Sequence, residues 1–350
     1  MANRLLAHEV SDLCLGKPPL SSIPISATIR HALAALKSSD DTHISVWSCD
    51  LDHHSTTHDH CHCVGKICMV DIICYLCKED NISSPSLALK APVSVLLSPI
   101  PGVVKHVDPS YSLLEAIDLI INGAQNLVVP IKNTTSKRKQ LRQPTSLAPT
   151  THAGGREFCW LTQEDVIRFL LSSIGLFSPT AAYSIESLGI IDTKILTINY
   201  HSPASKALAA ISTSLSDQTS VAVIDDDGVL IGEISPFTLA YCDEMVAAAI
   251  TTLSAGDLMA YIDCGGPPED ITKVVHARSG RYNRSDKFIM RRAEAIVCQP
   301  RSSLVAVMIQ AIALRVSYVW VIEEDCTVVG IVKFSGMLKV FQEHLESLID

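Results

Sequence analysis

The 350-residue sequence predicts an α/β (α+β) protein that consists of four copies of one structural unit. A short amphipathic helix recurs four times behind a Ser, Thr or Pro start signal, and a β-branched strand follows each helix. An apolar strand precedes each of these helices, and a further strand and helix complete each copy. The order within a unit is therefore strand, helix, strand, strand, helix.

The first strand and first helix of each unit can be placed directly on the sequence. The strands are expected in "PLSSIPIS", "GVVKHVDP", "KILTINYH" and "EAIVCQPR". Ser and Thr side chains accept the unpaired N–H groups of a helix start, and Pro suits the first helical turn. These rules place the helix starts at Thr28, Ser112, Pro203 and Ser303.

The second half of each unit contains the most apolar segments of the chain. The middle strands are "ISVWS", "LVVPI", "VAVID" and "YVWVI", and the closing strand and helix follow in "CVGKICMVDIICYL", "FCWLTQEDVIRFL", "LIGEISPFTLAYC" and "VVGIVKFSGMLKVF". A small sheet with helices on one face cannot bury both layers alone, so the units are expected to pair. We predict two modules, 1–175 with repeats at about 8–80 and 91–174, and 176–350 with repeats at about 185–248 and 254–347.

Composition excludes several classes of function. A net charge of −9 argues against nucleic acid as the main partner, and no apolar run approaches the length of a membrane span. The sequence contains no P-loop, GxSxG, HExxH or Rossmann motif, so we predict that it is not an enzyme. We expect a soluble cytoplasmic protein in which most of the twelve cysteines are small buried side chains, among them Cys14, Cys68, Cys159, Cys242 and Cys298. The basic tripeptide "KRK" at 137–139 leaves a nuclear location open.

Each closing strand leads into a variant of the pattern Gly-apolar-apolar-Ser/Thr-x-x-Asp. In this pattern and in its fourfold repetition, the sequence resembles the cystathionine-β-synthase (CBS) domain family, with four CBS repeats in two Bateman modules. It is similar to plant CBS-domain-only proteins and, more distantly, to the γ subunit of AMP-activated kinase. The resemblance implies a non-catalytic regulatory protein that takes part in energy sensing. AMP, ADP, ATP or S-adenosylmethionine would bind between repeats, and a kinase complex, a redox protein or a second copy of the chain would be the partner.

The resemblance assigns ligand contacts unequally among the repeats. In the family the Asp holds the ribose hydroxyls and the Ser or Thr lies near the ribose or phosphate. Thr162 and Asp165 in "CWLTQED" match both positions, whereas "GKICMVD" has Asp71 but Cys68 in place of the hydroxyl residue. "GEISPFT" keeps only Ser235, and "GIVKFSG" has neither group. A Thr three residues before an acid is also an ordinary capping box, so both interpretations of Thr162 and Asp165 stay open.

A ligand phosphate would also need positive partners. His43, just before the middle strand of repeat 1, is one candidate. Lys105 and His106, on the first strand of repeat 2, are two more. Solvated surface side chains are the commoner role for such residues.

The segment "CDLDHHSTTHDHCHC" at 49–63 raises a metal-binding alternative. Imidazole and thiolate ligands suit zinc or copper, and the candidates are His58, His60, Cys61, His62 and Cys63. We favour a decorated loop without a required metal, and we expect the basic insertions at 133–156 and 263–288 to be surface loops. The remaining alternatives are a ligand-free scaffold for protein binding and a metal-responsive protein.

Overall fold

The computed structural model describes residues 7–39, 41–49, 61–98, 102–131, 156–264 and 294–347. Within these ranges the chain forms four three-stranded sheets, one for each predicted repeat. In each sheet the first strand is parallel to the middle strand and the last strand is antiparallel to it. The strands are β1 Ser22–Pro24, β2 His43–Cys49, β3 Cys61–Cys68, β4 Val104–His106, β5 Asn126–Ile131, β6 Glu157–Thr162, β7 Thr197–Asn199, β8 Val221–Ile224, β9 Leu230–Ile234, β10 Val297–Cys298, β11 Tyr318–Ile322 and β12 Val328–Lys333.

Helices occupy the predicted places in all four repeats, which confirms the repeated unit. In chain order they are α1 Val10–Leu13, α2 Ile29–Ser38, α3 Met69–Leu76, α4 Glu79–Ile82, α5 Pro85–Ala88, α6 Leu113–Ile121, α7 Gln163–Ser172, α8 Leu208–Asp217, α9 Pro236–Leu239, α10 Val246–Thr252, α11 Ala255–Asp263, α12 Leu304–Leu314 and α13 Phe334–Glu346. None of the helices in the described ranges combines the length and the apolar character needed to cross a bilayer.

The observed helix starts show where local sequence signals correctly predicted the start of a helix. Thr28, Ser112 and Ser303 are N-caps whose hydroxyls accept backbone N–H groups, as predicted. After Pro203 the chain first makes a 3₁₀ turn at Ala204–Ala207, and α8 begins only at Leu208. The closing helix of repeat 3, α9, is a single turn, shorter than the closing helices of the other three repeats.

The sheets pair within each half of the chain. A small apolar cluster joins the sheets of repeats 1 and 2 and includes Trp47, Cys63, Val128 and Phe158. In the other half, β11 of repeat 4 faces β9 of repeat 3, because the Tyr318 hydroxyl and the Trp320 indole both donate to Glu233. One face of each sheet is therefore covered by the sheet of the neighbouring repeat.

The helices pack in the other direction, across the two halves. One core joins repeats 2 and 4, where α6 and α7 lie against α12 and α13. A second core joins repeats 1 and 3, where α3 lies against α8, α9 and α10. An ion pair between Lys37 and Glu244, 2.6 Å long, also links repeats 1 and 3. Each repeat therefore buries its sheet and its helices against different neighbours.

Short segments between repeats are exchanged within each half. The Val10 N–H donates to the Tyr111 carbonyl at 2.8 Å, so the segment that precedes repeat 1 lies on repeat 2. In return, the Ile29 N–H of repeat 1 donates at 2.9 Å to the carbonyl of Ala91, at the predicted start of repeat 2. In the second half, the Leu304 N–H donates to the Tyr183 carbonyl at 2.9 Å. The sequence pattern did not predict this exchange, since it assigned residues 8–14 to repeat 1.

We expect Phe341→Ala to remove about 3–5 kcal/mol from the free energy of unfolding, the usual effect of truncating a buried Phe. Phe341 is fully buried in the core of repeats 2 and 4 and packs edge-on against Phe177 with ring centroids 4.7 Å apart. Urea denaturation followed by circular dichroism measures this loss. Leu15→Ala is the control, because the Leu15 side chain is 80% exposed, and it should change stability little. Equal effects of the two substitutions would contradict the packing described above.

Candidate ligand clefts

A cavity of about 200 Å³ lies beside the closing helix of repeat 1. Its lining includes one predicted acid and one predicted basic residue, Asp71 and His43, together with Lys66. Repeat 2 contributes Gly102, Val103, Val104 and Gln125, and repeat 3 contributes Leu215 and Ser216. Three repeats therefore form this cleft, and it brings together two of the side chains that the sequence had marked as ligand contacts.

Asp71 is held at the start of α3 by its own helix. One carboxylate oxygen accepts the Cys68 N–H at 2.7 Å, and the Cys68 side chain accepts the Asp71 N–H in return. Sulfur therefore takes the capping role that a hydroxyl has in repeat 2. Burial raises the pKa of Asp71 to about 6, although the hydrogen bonds from Cys68 and the charge of Lys66 act in the opposite direction.

The cation of this cavity is Lys66 and not His43. Burial lowers the pKa of His43 to about 3, and the nearby Lys66 charge lowers it further, so the imidazole is neutral at physiological pH. A contact between His43 and a ligand stays a prediction. Burial also lowers the pKa of Lys66, while Cys68 and Asp71 raise it. A lysine inside the apolar strand "VGKICMV" was the sequence signal for this residue.

Lys105 and His106 lie near the cavity but do not line it. Lys105 borders it, because its Cε lies 3.5 Å from the position that a Cβ on the cavity residue Gly102 would take. The His106 ring accepts the Cys63 N–H at 2.9 Å and packs edge-on against Trp47. Its pKa is lowered, mainly by burial. His106 therefore belongs to the contact between the first two sheets.

In repeat 2, Thr162 and Asp165 form a complete capping box. The Asp165 carboxylate accepts the N–H and the hydroxyl of Thr162, both at 2.7 Å, and the Thr162 hydroxyl accepts the Asp165 N–H at 3.3 Å. Lys17, from the segment before β1, makes an ion pair with the same carboxylate oxygen. A ligand contact at these two residues stays a prediction, and any ligand there meets Lys17 first.

Side chains of the protein occupy the cleft of repeat 3. Glu233 is only 2% exposed, and it accepts the Tyr318 hydroxyl at 2.9 Å and the Trp320 indole N–H at 2.7 Å. The Tyr318 hydroxyl also contacts the Ser235 hydroxyl at 3.1 Å. Burial raises the pKa of Tyr318 well above its usual range, which keeps the phenol a hydrogen-bond donor. The motif hydroxyl of repeat 3 is therefore used inside the protein.

Repeat 4 lies beside a cavity of about 220 Å³ lined by Lys194, Thr219, Ser220 and Lys333. Lys333 takes the place of the motif hydroxyl and forms an ion pair of 2.5 Å with Asp192. At the motif acid position this repeat has Gly336. The cavity therefore contains charged groups but lacks a carboxylate placed like that of Asp71.

The metal candidates do not form a site in the part of the chain that the structure describes. Cys61 is disulfide-bonded, so its sulfur is not a free thiolate. Cys63 is buried, its thiol donates to the Gly65 carbonyl at 3.3 Å, and burial raises its pKa to about 12. His62 is exposed, and His58 and His60 lie outside the described residues. The described ranges contain no group of three or more His, Cys, Asp or Glu side chains arranged for a metal ion.

Comparison with known proteins identifies relatives of this chain. No family model matches the chain. It is 47% identical over 393 aligned residues to the CBS domain-containing protein CBSX5 of Arabidopsis thaliana, which covers 99% of this chain and 100% of that protein. It is 19% identical over 372 residues to the SNF1-related protein kinase regulatory subunit gamma-like PV42b of the same plant, over 99% of this chain and 97% of that one.

Among solved structures, a Methanocaldococcus jannaschii protein described as an archaeal homologue of γ-AMPK superposes with a TM-score of 0.58. The two chains are 15% identical, and the match covers 95% of this chain and 100% of the archaeal one, so it supports the fold. The four sheets, their paired faces and the clefts at the closing helices define a protein with four CBS repeats in two Bateman modules. The chain belongs to the family of CBS domain-containing proteins.

We expect the stability of the wild type relative to Asp71→Asn to decrease as the pH rises. The folded-state pKa of about 6 lies above the ordinary value of 3.8, so the protonated carboxyl is favoured in the folded state. This contribution is complete below about pH 3.8 and is lost as the pH rises through about 6. Across this pH range, the free energy of unfolding of the wild type relative to Asp71→Asn should change by up to about 3 kcal/mol. Urea denaturation of both proteins across this range measures it, and a difference that does not change with pH would contradict a raised pKa of Asp71.

Proposed function

We propose that this chain is a non-catalytic regulatory protein that binds an adenosine-type ligand in the cleft of repeat 1. AMP, ADP, ATP and S-adenosylmethionine are the candidate ligands. The modules would be residues 1–175 and 176–350, in agreement with the way the sheets pair. The observation that carries the proposal is the cavity that contains Asp71, Lys66 and His43 at the start of α3.

The chemistry of this cavity suits a nucleoside with a phosphate. A carboxylate accepts two hydroxyl hydrogen bonds from a ribose, and Asp71 lies in the first turn of α3, where its position is fixed. A phosphate would lie near Lys66 and the N–H groups at the start of α3, since both attract an anion. The neutral His43 ring can donate one hydrogen bond and accept another.

The same cavity offers a route by which ligand binding could affect the second module. Leu215 and Ser216 of repeat 3 form part of its lining. The Gln125 side chain donates to the Ser216 carbonyl, the Gln218 side chain donates to the Gln125 carbonyl at 3.5 Å, and the Ser317 hydroxyl donates to the Gln218 carbonyl at 2.6 Å. A ligand that contacts Gln125 would therefore act on hydrogen bonds that join repeats 2, 3 and 4. A ligand that binds more tightly to one arrangement of these hydrogen bonds than to another shifts the population of the protein toward that arrangement.

A protein partner would bind the ligand-bound and the ligand-free conformations with different affinities. The name of the Arabidopsis thaliana relative, SNF1-related protein kinase regulatory subunit gamma-like PV42b, supports a kinase complex as the partner. Energy sensing would then be the role of such a complex. A redox protein or a second copy of the chain is the alternative partner.

A ligand-free scaffold is the second candidate function. Its support is the occupied cleft of repeat 3, where Glu233, Tyr318 and Trp320 satisfy one another. If all the clefts served only to hold the repeats together, the protein would present its surfaces to a partner without any ligand.

We expect Asp71→Ala to weaken the binding of AMP by about 2–3 kcal/mol, roughly 30- to 160-fold in Kd, through the loss of two hydrogen bonds to a charged acceptor. Isothermal titration calorimetry on the full chain measures this effect. Asp108→Ala is the matched control, since Asp108 is an exposed acid whose carboxylate accepts hydrogen bonds from Ser110 only locally. We expect the control to bind AMP as the wild type does.

A parallel thermal-shift screen with AMP, ADP, ATP and S-adenosylmethionine identifies the ligand. Stabilisation by one of these compounds that survives Asp71→Ala would move the site away from repeat 1. A wild-type protein that none of them stabilises would favour the scaffold.

A further inference from the structure

We propose that the side chain of Lys17 is a tethered occupant of the cleft of repeat 2, which keeps the ligand contacts expected at Thr162 and Asp165 closed. The class of ligand rests on the proposed function of repeat 1, whereas the occupation of the cleft rests on contacts of Lys17 alone. Those contacts are with Asp165 and Trp160.

Lys17 binds where a ligand would have to bind. Its ammonium group forms an ion pair with Asp165 and donates to the Trp160 carbonyl at 2.7 Å. The Lys17 side chain is 20% exposed and that of Asp165 is 25% exposed, so the pair is largely shielded from solvent. The carboxylate oxygen that contacts Lys17 is the one that also accepts both hydrogen bonds from Thr162. A ribose at this position would have to displace the ammonium group.

Strand register shows that this place corresponds to the open cavity of repeat 1. His43 pairs with Cys68 in the first sheet, and Asn126 pairs with Thr162 in the second. In each repeat the motif acid follows three residues later, as Asp71 or Asp165. Three of the corresponding residues in repeat 1, His43, Cys68 and Asp71, line the cavity. The cleft of repeat 2 therefore has the same framework, and it has the motif hydroxyl that repeat 1 lacks.

Asn126 supplies an independent sign of an unused ligand contact. It is 4% exposed, and within the described residues its side-chain nitrogen has no hydrogen-bond partner. Its register position is that of His43, which lines the open cavity. A buried amide donor without an acceptor is unfavourable, and an acceptor atom of a ligand would remove that penalty.

The backbone around Lys17 is fixed independently of its ammonium group. The Val10 and Ser11 N–H groups donate to the carbonyls of Tyr111 and Pro109 at 2.8 and 2.9 Å. Cys14 is buried in the core of repeats 2 and 4, where its thiol is hydrogen-bonded to that of Cys159. Removing the ammonium group of Lys17 should therefore break its contacts with Asp165 and Trp160, and free the carboxylate for a ligand, without releasing the segment.

The second module repeats the arrangement with the charges exchanged. Lys17 precedes Ser22 by five residues and Asp192 precedes Thr197 by five, and Ser22 and Thr197 hold the same place in their sheets. Asp192 pairs with Lys333 as Lys17 pairs with Asp165. A cavity lies beside this ion pair, and Gly336 stands in place of the acid. In repeat 2 the acid is present, and Lys17 neutralises it.

The test counts bound ligands. We expect one AMP per wild-type chain and two per Lys17→Met chain in isothermal titration calorimetry. The added site should disappear in Lys17→Met/Asp165→Ala, whereas Asp71→Ala/Lys17→Met should keep it while losing the site of repeat 1. Adenosine, tested in parallel, shows whether the new site recognises the nucleoside itself.

Lys37→Met is the matched control, because it also removes a lysine from an ion pair with a carboxylate, that of Glu244. It should leave the number of bound ligands unchanged, as should Lys17→Arg, which keeps a cation. If Lys17→Met does not fold, Lys17→Gln is a second variant that removes the cation from the cleft. A folded Lys17→Met or Lys17→Gln protein that gains no site overturns the proposal. If the wild type binds no AMP and a Lys17 variant gains one site that depends on Asp165, the proposed ligand site in repeat 1 is wrong. The proposal for Lys17 is then supported.

Discussion

Each repeat is a layer of helices on a sheet of three strands, and both outer faces of such a unit are apolar. The structure depends on covering both faces at once. The sheet of each repeat is covered by its neighbour in sequence, and the helices are covered by a repeat from the other half of the chain. Hydrophobic burial is proportional to the area removed from water, so an isolated repeat, or even an isolated pair, would leave one layer exposed. The clefts are the gaps that remain where these two kinds of contact meet.

The motif at the start of the closing helix has different charged and polar neighbours in each of the four repeats. Asp71 has a lysine and a neutral histidine beside it and faces a cavity, whereas Asp165 is neutralised by an ammonium group from another segment. In repeat 3 a buried glutamate is held by a phenol and an indole, and in repeat 4 a lysine replaces the hydroxyl residue. The motif gives each helix a similar start, while residues outside the motif decide whether that start is open to a ligand.

Much of the fold was predictable because its signals are local. The helix caps at Thr28, Ser112 and Ser303 and the alternation of apolar strands depend on neighbours a few residues away. The contact between Lys17 and Asp165 joins residues 148 positions apart, and nothing near Lys17 in the sequence indicates it. The neutral state of His43 is equally invisible, since the shift in its pKa comes from burial and from Lys66. Burial and long-range charge therefore set the parts of the clefts that sequence patterns left open.

The chain between Leu215 and Ser220 borders both open cavities. Leu215 and Ser216 face the cleft of repeat 1, and Asp217, Thr219 and Ser220 face the cleft of repeat 4. Gln218, between them, has a left-handed backbone with φ of 55° and ends α8. A shift of these six residues therefore changes the walls of both cavities at once, although one cavity belongs to each half of the chain.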